Sequence, residues 1–227
     1  VNEDKATRYN RLKRNTSIAS GAWSALLLAL LAVSGASAAL RSVAERMGGP
    51  ADPARGATLL TIGAFVTLLF LLNELGSVPL AFYGSFVLER RYGLTSQSLG
   101  AWLRDQVKAL LVGLVLSIPA ACLLYTIISR VPEWWWLPAA LAFGLVAVGL
   151  ANVGPLVLLP LFYALRPLRR ADVRERLVQL ADRAGARVLD AYEWGLGEKT
   201  TRANAALTGL GASRRILVSD TMLEQYS

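Results

Sequence analysis

Four apolar runs, each long enough to cross a bilayer, constrain this chain more than any other feature. A helix spanning the hydrocarbon core needs about 20 largely apolar residues. Ile18 to Leu40, Thr58 to about Phe82, Val107 to Ile128 and Trp136 to about Tyr163 all qualify. Across such a core a backbone can satisfy its own polar groups only as a helix or a closed barrel, and runs of this length point to helices. The last sixty or so residues return to the mixed composition of an ordinary soluble segment.

The short stretches between the runs set an expected orientation. The leader carries Lys5, Arg8, Arg11, Lys13 and Arg14. The first loop, from Arg41 to Arg55, is nearly balanced by Glu45 and Asp52. The second holds Arg90, Arg91, Arg104 and Lys108, the third sets Arg130 against Glu133, and Arg166, Arg169 and Arg170 follow the fourth run. Basic residues therefore alternate high, low, high, low, high, which places both ends in the cytoplasm. Trp134, Trp135 and Trp136 fall on the opposite side, where indole rings prefer the interface. The net charge of +8 is accounted for by these flanks, so nucleic acid is not an expected partner. Ala36-Ser37-Ala38 after a basic, apolar start resembles a secretory cleavage site, but the run is long for a signal, and a retained first helix is expected. Arginine outnumbers lysine heavily, as in a GC-rich bacterial genome.

Polar residues inside the runs are the first candidates for function. Asn73 and Glu74 lie late in the second run. A carboxylate at membrane depth faces a partner or a water-filled cavity, or lies close enough to the interface to stay solvated. The pair is thus a candidate intramembrane polar site, and Gly76 and Pro79 allow the interfacial alternative. Asn152 in the fourth run fits an interhelical hydrogen bond.

After the fourth run, Val173, Leu177, Leu180 and Ala184 mark one face of an amphipathic helix from Ala171 to Gly185, with Asp172 as the expected N-cap and Gly185 as the stop. Arg187 to Trp194, Ala203 to Thr208 and Arg215 to Ser219 read as strands separated by glycines. Thr221 to Glu224 has the capping-box pattern, so a helix is expected to start between Ser219 and Thr221. A unit this small builds only part of a core and reads as the first half of a domain.

These residues resemble the integral-membrane zinc metallopeptidases that include the CAAX prenyl endopeptidases and the HtpX proteins. Pro160-Leu161-Phe162 with Pro167-Leu168 resembles that family's link from membrane to protease domain. Lys199-Thr200, Asn204-Ala205 and Gly209 resemble its Ser-Lys-Arg-Thr, Asn-Ala and Gly strand, and Ser213 to Ile216 with Asp220 to Leu223 resembles its Arg-Arg-Ile and Asp-Thr-Leu-Leu element. Glu89 to Leu94 with Asp105 to Lys108 resembles a loop of the prenyl-endopeptidase branch. Glu198, Thr201 and Ala206 depart from the pattern, standing for a serine, a basic residue and an aromatic.

The resemblance implies an α-helical membrane protein: a basic leader (1–17), a membrane domain of four transmembrane helices (18–165), and the start of a small α+β cytoplasmic metalloprotease domain (166–227). It implies a zinc metalloendopeptidase acting on membrane-associated, prenyl-tailed or misfolded proteins at a cell (inner) membrane. The family's zinc helix carries His-Glu-x-x-His, whose histidines bind the metal and whose glutamate acts as general base. This chain has no histidine and one cysteine, Cys122. It therefore offers no catalytic or metal-binding residue of that kind, and zinc is expected only in a longer protein. What remains is substrate binding: by resemblance, Asn204 and Ala205 line an edge onto which extended polypeptide adds as a strand. The alternatives are a non-catalytic membrane scaffold that binds partners and, on Glu74 and the prolines alone, a channel or transporter.

Overall fold

The computed structural model describes residues 4–49, 57–209 and 214–225. In chain order the elements are α1 (Lys5–Val33), α2 (Ala36–Gly48), α3 (Leu59–Ala81), α4 (Leu88–Arg91), α5 (Leu99–Arg130), α6 (Trp136–Phe162), β1 (Ala164–Pro167), α7 (Ala171–Arg183), β2 (Asp190–Gly195), β3 (Ala205–Thr208), β4 (Arg215–Ser219) and α8 (Asp220–Gln225). Among the described residues four helical stretches are long and apolar enough to cross a membrane: Lys5–Val33, Leu59–Arg91, Leu99–Arg130 and Trp136–Gly154. The chain is a multi-pass membrane protein. It divides into two compact units, one of residues 1–92 and 99–139, the other of residues 93–98 and 140–227.

The first unit is organised around α3, which packs against α1, α2 and α5. The first apolar run is not one helix to Leu40. Gly35 adopts a left-handed conformation (φ 73°), which turns the chain after α1 and starts α2 as a separate helix. At its other end α1 runs back to Lys5, into the basic leader. Tyr9 is buried there, donating its hydroxyl to Glu89, which Lys13 also engages. Thr58 caps α3 by accepting from Thr61 N at 3.1 Å. Lipid offers no hydrophobic drive between helices, so close approach over small residues and hydrogen bonds must hold them. Both are present. Gly76 lies under the Trp23 ring, and Gly113 under Phe70. The Trp23 indole donates to the Asn73 carbonyl at 2.9 Å, and Ser24 Oγ donates to Asn73 Oδ1 at 2.8 Å. Pro79 has no N–H to give its preceding turn, and the widened turn of Phe82–Val87 that follows joins α3 to α4.

In the second unit, α6 leads into a four-stranded sheet of order β1-β2-β4-β3. β1 is antiparallel to β2, β2 parallel to β4, and β3 antiparallel to β4. The core sits on the central strands, where Ala191, Leu217, Val218 and Ser219 are buried together with Leu168 and Leu196. β1 was not expected from the sequence. It is four residues long and ends in Pro167, which a sheet edge tolerates because no inner partner needs its N–H. The helix from Ala171 is present, but its N-cap is Arg170, without a side-chain cap bond, rather than Asp172. Its end is as expected. Gly185 is left-handed (φ 71°), and Gly185 N and Ala186 N donate back to the carbonyls of Asp182 and Ala181 at 3.0 and 2.9 Å, closing a Schellman motif.

One ion pair ties α7 to β2. Arg174 Nε donates to Asp190 Oδ1 at 2.6 Å, and its terminal nitrogen engages Oδ2. The guanidinium hydrogen bond, helped by the Ala191 N–H, holds the Asp190 carboxyl below the usual carboxylate range despite its partial burial. A depressed carboxylate stabilises the fold above its unfolded pKa and loses that contribution as pH falls through the folded value. Arg174→Met is therefore expected to lower the thermal midpoint at pH 7. The gap from wild type should close as pH falls below about 4, where an ordinary aspartate protonates. A gap that stays constant down to pH 2 would show that the pair contributes nothing.

Candidate functional site

The segment from Leu196 to Asn204 has no helix or strand of its own, yet nearly every turn of it is held. Asp220, in the first turn of α8, is the main anchor on one side. Its Oδ1 accepts from the backbone N–H groups of Leu196 (3.0 Å), Gly197 (2.9 Å) and Thr221 (2.8 Å). A side chain on Gly197 would meet Asp220 Oδ2 at 3.1 Å. Thr221 Oγ1 donates to the Arg202 carbonyl at 2.8 Å, and Gln225 Nε2 to that of Thr201 at 3.2 Å.

Ser219 joins this segment to the sheet. Its Oγ accepts from Asn204 N at 2.8 Å and from Met222 N at 3.1 Å, so it is the N-cap of α8. The helix thus begins inside the expected window, with Ser219 rather than Thr221 as the cap. In return Ser219 N donates to the Asn204 carbonyl at 2.9 Å.

That last bond fixes which backbone groups of β3 face outward. In an antiparallel ladder, residues that bond the partner strand alternate with residues that do not. Register pairs Ala205 with Val218, Ala206 with Leu217, Leu207 with Ile216 and Thr208 with Arg215. Since Asn204 bonds Ser219, Ala206 and Thr208 face β4, and Ala205 and Leu207 turn their N–H and C=O to the outer side. Among the described residues β3 is the last strand on that side of the sheet. Asn204, Ala205 and Leu207 are all exposed. The arrangement offers an extended chain two N–H donors and two carbonyls at strand spacing.

The other residues singled out in the sequence fall elsewhere. Asn73 is spent on α1, through Ser24. Glu74, about 100° further round α3, lines an apolar cleft of about 690 Å³ with Leu40, Leu71, Leu75 and Leu110, and Asn73 is not part of that cleft. The two side chains do not meet in one site. Lys199 lies over the rings of Tyr163 (4.4 Å) and Phe162 (5.7 Å), and Arg215 over Tyr192 (5.2 Å), so these cations rest on aromatic faces. Asn152 Nδ2 donates to the Val148 carbonyl of its own helix at 2.9 Å. Ser213 lies outside the described residues.

The donor set does not fit a zinc site. The chain has no histidine. The thiol of Cys122 lies 3.9 Å from the Leu59 carbonyl inside the helical unit. Among the described residues no three His, Cys, Asp or Glu side chains come together as a metal would require.

Known proteins are similar to this chain in sequence and in fold. The family model described as the CAAX prenyl protease N-terminal region, with five membrane helices, matches residues 2–164. The uncharacterised metalloprotease YhfN of Bacillus subtilis is 30% identical over 167 residues, covering 74% of this chain and 39% of that protein. CAAX prenyl protease 1 of Saccharomyces cerevisiae is 27% identical, covering 72% of this chain and 36% of that one. The homologue from Taenia solium is 26% identical over the whole chain and half of its own length. The crystal structure of S. mikatae Ste24p shares the fold with a TM-score of 0.81 at 24% identity, covering 98% of this chain and 52% of that one. The chain thus spans between about a third and a half of the length of the curated relatives it matches.

Proposed function

The chain belongs to the CAAX prenyl protease family of membrane metalloproteases, and from that premise we propose that it is the scaffold and substrate-holding part of a zinc-dependent membrane endopeptidase. The observation that carries this reading is the open edge of β3, with Ala205 and Leu207 directing backbone groups outward beside the segment clamped by α8. A substrate chain adds to that edge as a further strand. Its backbone supplies the affinity, and side chains matter only at alternate positions. Asn204 flanks the edge; its backbone is engaged by Ser219, which leaves its side chain for the peptide. Residues 166–227 are the front part of the peptidase domain.

Zinc and its ligands belong, in this reading, to further residues of a longer protein. Substrates are membrane-associated polypeptides, prenyl-tailed or misfolded. The alternation of basic loops supports an orientation with the leader and the sheet on the cytoplasmic side of a cell (inner) membrane.

The test is peptide hydrolysis by the purified full-length protein. Activity is expected, lost with a chelator and restored by zinc. The 227-residue stretch alone is expected to cleave nothing. A full-length protein that binds peptide but hydrolyses none with zinc supplied would leave the scaffold reading in its place.

A further inference from the structure

The segment that leads into β3 is held on a second side by a loop that comes from about a hundred residues earlier. Loop 93–98 follows α4 and precedes α5 in the chain, and it packs within the same compact unit as the sheet. Ser96 Oγ donates to the Gly197 carbonyl at 2.7 Å, and Thr95 Oγ1 donates to the Lys199 carbonyl at 2.6 Å. Thr95 Oγ1 also accepts from Gln97 N at 3.1 Å, which orients its single proton toward Lys199. Bonds run the other way as well. Thr200 Oγ1 and Thr201 N donate to the Leu94 carbonyl at 3.0 and 3.3 Å, and Thr201 Oγ1 to that of Gly93 at 3.2 Å. Gly93 is left-handed (φ 67°), a conformation that gives the chain its turn at the end of α4.

We infer that loop 93–98 is a positioning element for the peptide-binding edge, with Thr95 and Ser96 as its positioning residues. The clasped carbonyls of Gly197 and Lys199 lie a few residues before Ala205, and the segment between has no ladder of its own. Its course is set by the Asp220, Thr221 and Gln225 bonds on one side and by the loop on the other. Removing the loop's two hydroxyl donors leaves the bonds from Thr200 and Thr201 to hold that side, so residues 197–199 loosen ahead of β3 while its pairing with β4 survives. The inference rests on the proposed peptide-binding role of that edge.

The experiment uses the full-length protein and a fluorescent, non-cleavable peptide alongside a cleavable one. The Thr95→Val, Ser96→Ala double variant is expected to exchange the amides of 197–205 faster, and to raise peptide Kd and KM about three- to tenfold, the weight of one or two net hydrogen bonds. kcat should not change, because neither residue touches the reacting atoms. Thr95→Ser should behave as wild type, since it keeps the donor. Should the double variant fail to fold, the single Ser96→Ala variant, which alters one exposed bond, carries the same test with a smaller shift. A variant with faster exchange but unaltered Kd and KM, in a protein that binds and cleaves, overturns the positioning role alone. A wild-type protein that neither binds nor cleaves peptide overturns the edge reading and this inference together.

Discussion

Replacing Ala205 by proline in the full-length protein is expected to lower kcat/KM for peptide cleavage about tenfold to a hundredfold, the effect of removing a backbone donor and leaving its partner unpaired, with the fold retained. The two halves of this expectation come from one observation. Ala205 faces away from β4, because the Asn204 carbonyl takes the Ser219 N–H and the ladder alternates from there. Proline at an outward position of an edge strand removes no ladder bond and is tolerated. The same substitution one residue on, at Ala206, breaks a bond to β4 and should destabilise the sheet. Asn204→Ala, which leaves the backbone intact, should have a smaller effect on KM. Wild-type kinetics for Ala205→Pro, with unchanged circular dichroism and melting, would remove β3 from substrate binding.

Gly48→Val is expected to destabilise the helical unit by about 1–3 kcal/mol, the usual cost of forcing atoms into a packed contact. A side-chain carbon at Gly48 would lie 2.3 Å from Thr61 N and 2.6 Å from the Leu60 carbonyl carbon. Both are backbone atoms, so no rotamer change relieves the clash, and α2 must lift from α3. Doing so also strains two bonds that hold the end of α2, Thr58 Oγ1 to the Gly48 carbonyl and Thr61 Oγ1 to the Gly49 carbonyl, each at 2.8 Å. Gly21→Ala is the control, since nothing lies within 4 Å of its added carbon. The readout is the melting midpoint in detergent. Equal midpoints for Gly48→Val and wild type would show that α2 is not fixed against α3.

The membrane helices were legible because run length alone decides them. Legible too were β4 and the start of α8, bracketed by glycines and a serine that can cap. Other features were hidden for physical reasons. Ser34 and Gly35 end α1, but small residues within an apolar stretch look the same whether or not the backbone turns there. β1 has four residues and a proline, too short to show alternation. The clasp of Thr95 and Ser96 joins hydroxyls to main-chain carbonyls, so no pattern in side-chain type marks its distant end. Asn73 and Glu74 looked like one polar feature because they adjoin in sequence, whereas a helix sends neighbours in different directions.

The strand order has a consequence for biosynthesis. β4, translated after both of its neighbours, lies between β2 and β3. While the ribosome has delivered the chain only as far as Thr208, β3 has nothing to pair with. Its register waits for Ser219 and the first turn of α8 to emerge, since Ser219 fixes Asn204 and caps that helix with one oxygen. A nascent protein therefore has no finished β3 edge until translation has moved past Met222.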